Sequence, residues 1–253
     1  MYYEFLDYEL FYEKCGCGKK NILILPGWGE TRVTFFRIIN YFKENYTVYI
    51  LDYPGFGNSP FPNKDMTIYD YAILIKNFLI DLKIDNPIII AHSFGGRIAT
   101  ILSTILDIKV EKMLFMDIAG IKPKKKFRQW IREKIYKLKK KFISYFCKNS
   151  KERRLNRLRK KYGSTDYNTL PQNMLTTFRN VVNEDLKCYF KDIKSEVLLI
   201  WGARDIDTPL KDAYYINKQI KNSHLIVFKD GDHFTYLQYN DAILLIIEEF
   251  IKN

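Results

Sequence analysis

Residues 87–96 read Pro-Ile-Ile-Ile-Ala-His-Ser-Phe-Gly-Gly, a short apolar run followed by a turn that contains two glycines. Apolar residues recur at helical spacing after the turn, so Ser93 is predicted to lie on a sharp strand-to-helix turn. A serine hydroxyl is a weak nucleophile at neutral pH unless the backbone presents it to a base and to oxyanion-stabilising amides. The turn therefore makes Ser93 the candidate nucleophile.

Strand-like and helix-like segments alternate on both sides of this turn. After a short hairpin within residues 2–12, apolar strands are predicted at 21–25, 47–51, 87–91, 112–117, 196–201 and 223–228. Helices are predicted at 34–44, 67–82, 94–106, 210–220 and 241–251. Strands that are apolar on both faces and separated by helices indicate a mostly parallel sheet with helices on both faces, which is an α/β fold.

The alternation is interrupted once, between Gly120 and Glu196. An interruption of this kind indicates an insertion between two halves of one sheet. We predict three parts: a first core half at 1–120, an all-helical insertion at 121–193 and a second core half at 194–253.

Two helices are predicted inside the insertion. Residues 127–146 place apolar side chains at helical spacing and basic ones at most other positions, which indicates a cationic amphipathic helix. Residues 170–190 have the pattern of the last helix of the insertion. The candidate substrate-binding residues on it are Met174, Phe178 and Val182.

The net charge of +12 is concentrated in one segment. Residues 122–161 hold 19 of the 41 Lys and Arg but only two acids, a charge of +17, whereas the rest of the chain carries −5. Either the basic residues are solvated on the outside of a lid, or they bind an anionic membrane surface or an acidic carrier protein. We do not expect nucleic acid to bind, because no recognised motif accompanies the charge.

Composition limits the location and the cofactors. No apolar run reaches the ~20 residues that span a bilayer, and the first residues lack the order of a signal peptide. We therefore expect a cytoplasmic protein that can also bind peripherally at a membrane. The four cysteines lack the spacing of a metal site and are predicted to be free thiols, and we expect neither a metal nor another cofactor.

Asp205 and His233 each lie in the loop that follows a predicted strand, as Ser93 does. Catalytic groups of parallel sheets gather at the carboxyl ends of the strands. The chain has three histidines, and the other two are assigned structural or surface positions: His92 lies beside the nucleophile, and His224 opens a strand. His233 is therefore the candidate base.

Asp205 is the candidate acid that would hold the tautomer of His233 and stabilise its charged form. Two alternatives remain open. Asp117 ends the strand after the helix that begins beside the nucleophile, and Asp207 lies two residues beyond Asp205.

The chain resembles the α/β-hydrolase family over nearly its whole length, in particular the lidded branch of esterases, lipases, C–C bond hydrolases and acyl-carrier-protein ester hydrolases. The resemblance depends on the serine turn at 91–96, Leu-Pro-Gly-Trp-Gly at 25–29, Pro-Gly-Phe-Gly-Asn-Ser at 54–59 and the acid loop at 201–209. It implies an oxyanion hole made by the backbone N–H groups of Trp28 and Phe94.

Two residues depart from the family's usual pattern. Pro26 stands where relatives usually carry His, and Ala91 stands where the turn usually has Gly. Neither change removes a candidate catalytic side chain.

Together the residues and the resemblance predict a serine hydrolase that cleaves a carboxylic ester of a hydrophobic acyl substrate through an acyl-enzyme. The same residues can cleave a C–C bond, a thioester or an ester carried on acyl carrier protein. A hypothesis of another class is a protein that binds membranes or an acidic partner and retains only a vestigial hydrolase core.

Overall fold

The computed structural model describes residues 1–122 and 170–252, together with positions 135, 136, 139, 143 and 154. Most of the basic segment, including nearly all of the helix predicted at 127–146, lies outside the described residues. The division at 121 and 193 stays a prediction. Within the described residues, no helix is both long enough and apolar enough to cross a bilayer.

One eight-stranded sheet forms the centre of the fold. Its strands are β1 (Tyr2–Phe5), β2 (Tyr8–Cys15), β3 (Asn21–Leu25), β4 (Thr47–Asp52), β5 (Ile88–His92), β6 (Lys112–Met116), β7 (Glu196–Gly202) and β8 (Ser223–Phe228). They lie in the order β1-β2-β4-β3-β5-β6-β7-β8. Only β1–β2 and β2–β4 pair antiparallel, so the predicted mostly parallel sheet is confirmed.

Helices cover both faces of the sheet, as predicted. They are α1 (Arg32–Phe42), α2 (Ile68–Asp81), α3 (Phe94–Thr104), α4 (Leu175–Asn183), α5 (Leu210–Gln219), α6 (Thr235–Gln238) and α7 (Asn240–Lys252). The apolar residues of α1 and α7 pack into the core on one face, and those of α2, α3 and α5 pack into the core on the other. Because the central strands are apolar on both sides, each face needs its own layer of helices.

The helix predicted at 170–190 is shorter than the pattern indicated. The α-helix begins at Leu175, after Pro171 and a 3₁₀ turn, and ends at Asn183. The chain then leaves the helix, because the N–H of Leu186 donates to the carbonyl of Gly120 and binds this segment to the end of the core. The helical spacing of apolar residues thus continues past Asn183, although the backbone there is held by a hydrogen bond to a distant part of the chain.

The parallel register places the ends of four strands at one edge of the sheet. His92 pairs with Met116, Met116 pairs with Ile200, and Gly202 pairs with Phe228. The loops that follow β5, β6, β7 and β8 therefore begin close together, and these loops carry the candidate site residues.

Candidate active site

Ser93 has a backbone conformation that residues with a side chain rarely adopt, with φ 45° and ψ −112°. It follows β5 directly and precedes the first residue of α3. Its N–H donates to the carbonyl of Met116, at 3.2 Å, on the neighbouring strand. The surrounding structure thus holds a strained turn that lifts the hydroxyl off the sheet, as a nucleophile requires.

Close packing beneath the turn requires small residues. A Cβ atom on Gly95 would lie 2.0 Å from the carbonyl oxygen of Leu25. Ala91, where the family usually has Gly, is fully buried and fits in β5. The departure at position 91 is therefore compatible with the turn.

His233 lies between Ser93 and Asp205. Its Nε2 is 2.9 Å from Oγ of Ser93, and its Nδ1 is 2.8 Å from Oδ2 of Asp205. Asp205 is also held by Thr208, whose hydroxyl donates to Oδ2 at 2.6 Å and whose N–H donates to Oδ1 at 2.9 Å. When Nδ1–H donates to the carboxylate, Nε2 is left to accept the serine proton.

The charges at this site stabilise each other. Burial raises the pKa of the Asp205 carboxyl, but the hydrogen bond and charge of His233 and the donors of Thr208 outweigh burial and hold that pKa below its ordinary value. Burial lowers the pKa of the His233 imidazole, but the hydrogen bond and charge of Asp205 raise it by more, so the net pKa lies above 6.5. Asp205 is therefore ionised at neutral pH, and His233 becomes a free base as the pH rises through its raised pKa.

Neither rival acid forms a hydrogen bond or ion pair with the imidazole of His233 in the described part of the chain. Asp117 is fully buried, and its Oδ1 accepts the backbone N–H of Gly202 at 2.8 Å. Asp207 is exposed, and its own backbone N–H donates to Asp205 at 2.8 Å. The geometry therefore favours Asp205 among the three carboxylates.

The backbone N–H groups of Trp28 and Phe94 remain the candidates for the oxyanion hole. Among the described residues, neither N–H donates a hydrogen bond. The indole ring of Trp28 packs edge-on against Phe94 and Phe178, with ring centroids 5.2 and 5.3 Å away. This packing holds the loop after β3 beside the turn at Ser93.

A cavity of about 310 Å³ opens beside Ser93. Phe178 and Val182, predicted from periodicity, both line it. Met174 does not line the cavity; it is buried against Gly55, and a Cβ there would lie 2.6 Å from its methyl carbon. The turn before α4 points Met174 into the core, which a helical pattern from residue 170 could not indicate.

Glu30 and Thr208 are site residues that the sequence did not reveal. Thr208 holds Asp205, and the buried carboxylate of Glu30 contacts His92 at 2.7 Å. Thr208 lies within the acid loop at 201–209 and Glu30 directly follows the loop at 25–29, but a polar residue in a loop is usually solvated. Only the fold places these two side chains against catalytic elements.

One group of side chains could in principle hold a metal ion. Asp205, Asp207 and His233 bring three ligand atoms within 4.8 Å of one another in the described part of the chain. However, Asp205 and His233 already share a hydrogen bond, so a cation bound here would compete with it. The donors suit proton transfer better than metal binding.

Known proteins resemble the chain over almost its full length. A Mycoplasma genitalium protein whose name describes an esterase or lipase is 25% identical, over 93% of this chain and 90% of its own. A pimeloyl-acyl-carrier-protein methyl ester esterase of Legionella pneumophila is 23% identical, over 91% of this chain and 95% of its own. The solved enol-lactonase of Burkholderia xenovorans LB400 superposes with a TM-score of 0.76 at 17% identity, covering 100% of both chains.

The family model for the alpha/beta hydrolase fold matches residues 20–238. This match includes the strand that precedes Trp28 and the turns that carry Ser93, Asp205 and His233. The sheet order and the strained serine turn agree with the resemblance seen in the motifs. The chain therefore belongs to the α/β-hydrolase fold family.

Proposed function

We propose that this protein is a serine hydrolase that cleaves a carboxylic ester through an acyl-enzyme. The observation that carries the proposal is the continuous chain of hydrogen bonds from Ser93 through His233 to Asp205, with distances of 2.9 and 2.8 Å. A serine on a strained turn, a base within reach and an acid that orients the base are the parts that acyl transfer needs.

In the first half of the reaction, Oγ of Ser93 attacks the ester carbonyl while Nε2 of His233 takes its proton. Negative charge develops on the carbonyl oxygen, and the backbone N–H groups of Trp28 and Phe94 stabilise it. One fixed donor of this kind contributes about 3–4 kcal/mol to the transition state. His233 then gives its proton to the departing alcohol, which leaves the acyl group on Ser93.

In the second half, water replaces the alcohol. His233 takes a proton from the water as it attacks the acyl-enzyme, and the same two N–H groups stabilise the second tetrahedral intermediate. Asp205 remains ionised throughout and stabilises the imidazolium form of His233. The acid product leaves, and the Ser93 hydroxyl regains its proton from His233.

Replacement of the nucleophile tests this proposal. Ser93→Ala should reduce kcat/KM for p-nitrophenyl acyl esters by at least about 10³-fold, because it removes the hydroxyl that forms the acyl-enzyme. Ser195→Ala is the matched control, since that hydroxyl donates to the carbonyl of Val110 outside the site. Full ester turnover by Ser93→Ala, purified to the same degree as the Ser195→Ala control, would refute the proposal.

A more specific substrate is an ester carried by an acidic acyl carrier protein. This proposal rests on the +17 charge of residues 122–161 and on the name of the Legionella relative. An acidic partner would be attracted strongly at low ionic strength and weakly at high ionic strength. An anionic membrane surface is the alternative partner for the same charge.

The two partners can be separated experimentally. One measures kcat/KM for a methyl ester borne on a carrier protein and for the free methyl ester, at low and high salt. Replacement of Lys124, Lys125 and Lys126 by Gln should lower only the carrier-bound value, and the same change at the exposed residues Lys218, Lys221 and Lys229 is the control. Equal values for both substrates, with salt-sensitive sedimentation on anionic liposomes, would favour the membrane instead.

A further inference from the structure

His92 precedes the nucleophile, yet it is 1% exposed and makes two polar contacts with its ring. Its Nδ1 is 2.7 Å from Oε2 of Glu30, and its Nε2 is 2.8 Å from the backbone carbonyl oxygen of His233. Glu30 is itself 8% exposed. A buried imidazole therefore connects the carboxylate of one loop with the backbone of the candidate base.

Both ring nitrogens of His92 and both carboxylate oxygens of Glu30 have partners. Oε2 of Glu30 also accepts the N–H of Gly27. Burial raises the pKa of the Glu30 carboxyl, but the interactions with His92, Tyr236 and Gly27 lower it below its ordinary value. The imidazole therefore has no ring nitrogen free for another contact.

The same carboxylate joins three loops at the carboxyl edge of the sheet. It accepts from Gly27, which directly precedes Trp28, and from the hydroxyl of Tyr236 at 2.7 Å, three residues after His233. The Glu30 N–H also donates to the carbonyl of Gly27 at 3.2 Å, which closes the oxyanion loop into a turn. The loops of the nucleophile, the base and the oxyanion hole thus share one buried hydrogen-bonded pair.

The pair packs closely against the backbone of the oxyanion loop. A Cβ atom at Gly27 would lie 2.5 Å from Oε2 of Glu30 and 2.9 Å from Nδ1 of His92. The absence of a side chain at Gly27 therefore allows both groups to approach the backbone directly.

We propose that Glu30 and His92 are positioning residues, a buried hydrogen-bonded pair that keeps the base and the oxyanion loop in register with Ser93. The proposal rests on the ester-hydrolase function proposed above and goes beyond it. His92 transfers no proton in this scheme, because both of its ring nitrogens are already engaged. It acts through the backbone of His233 and, by way of Glu30, through the backbone N–H of Trp28.

Kinetics per active site test the proposal. The variants are Glu30→Gln, His92→Phe and the double variant, with His224→Phe as control because that histidine is 66% exposed in its side chain. Active sites are counted with a fluorophosphonate probe that labels Ser93, and kcat, KM and the labelling rate are measured with p-nitrophenyl butyrate. Each single variant should lose about 10- to 100-fold in kcat and labelling rate, with KM changed less than about threefold, since small misplacements of catalytic groups cost this much.

The double variant separates a joint role from two independent ones. If Glu30 and His92 act as one unit, the double variant should be no slower than the slower single variant. Multiplication of the two losses would overturn the proposal, and so would an unchanged kcat per titrated site in either single variant. A wild-type protein that hydrolyses no ester would instead refute the proposed function.

Discussion

Asp117 was a rival for the catalytic acid, and the structure predicts that its replacement by Asn will change stability more than activity. The side chain is fully buried, and burial raises the pKa of its carboxyl from 3.8 to about 7, although the hydrogen bond from Gly202 opposes this rise. The native state therefore binds more protons than the unfolded state between these two pH values. Stability conferred by the neutral carboxyl is fully present below about pH 3.8 and is lost progressively as the pH rises from there through about 7.

The magnitude follows from the shift of about three units. At pH 8 the raised pKa lowers the free energy of unfolding by about 4 kcal/mol relative to an unshifted carboxyl, and at pH 5 by less than about 2 kcal/mol. Asn can still accept the N–H of Gly202 through Oδ1. Its amide NH₂ would occupy the place of Oδ2, which lacks a partner among the described residues, at a cost of about 1–3 kcal/mol. Asp117→Asn should therefore be more stable than wild type at pH 8 by about 1–3 kcal/mol.

Urea unfolding at pH 5 and pH 8 measures this effect for both proteins. The free energy of unfolding of the variant, relative to wild type, should rise by about 2–3 kcal/mol between the two pH values, with the denaturant slope unchanged. Ester turnover should fall far less than for Asp205→Asn, since His233 contacts Asp205 at 2.8 Å. An equal difference in stability at both pH values would refute the reasoning, and a loss of turnover equal to that of Asp205→Asn would make Asp117 the acid.

Two further predictions concern the site and its support. Asp205→Asn should lower kcat by about 10⁴-fold. Because Asp205 raises the pKa of His233, the midpoint of the acid limb of kcat/KM should move from above 6.5 in the wild type to lower pH in the variant. An unmoved midpoint in a full pH profile would contradict this. Gly95→Ala should destabilise the protein by about 1–3 kcal/mol in thermal or urea unfolding and should also lower kcat. The reason is that the added Cβ would lie 2.0 Å from the carbonyl oxygen of Leu25 and push α3 away from β3. A variant with the stability and kcat of the wild type would show that the turn has room to move.

Much of the fold could be predicted because its signals are local. The apolar runs that became β3, β5 and β7 are continuous over four or more residues, and Thr67 begins α2 with a capping box that includes Asp70. The end of α4 could not be predicted, since Leu186 is held by a hydrogen bond to Gly120, 66 residues earlier in the chain. Periodicity does not encode contacts over such separations.

The candidate site also combines features that the sequence predicts with features that only the tertiary structure determines. The motifs placed Ser93, Asp205 and His233 on loops that each follow a different strand, and the order of these loops follows directly from the amino-acid sequence. The choice of Asp205 over Asp117 depends on distances across three strands, which register and packing determine.

The role of His92 depends even more on tertiary contacts. The residues beside it in the chain indicate a turn, but its ring partners come from positions 30 and 233, on two other loops. Turn chemistry and apolar periodicity operate over a few neighbouring residues, so the sequence specifies the nucleophile turn and the strands on its own. The buried contact between His92 and Glu30, which joins the base to the oxyanion loop, exists only after the sheet brings the ends of its strands together, because a buried polar group is stable only where a partner is in place.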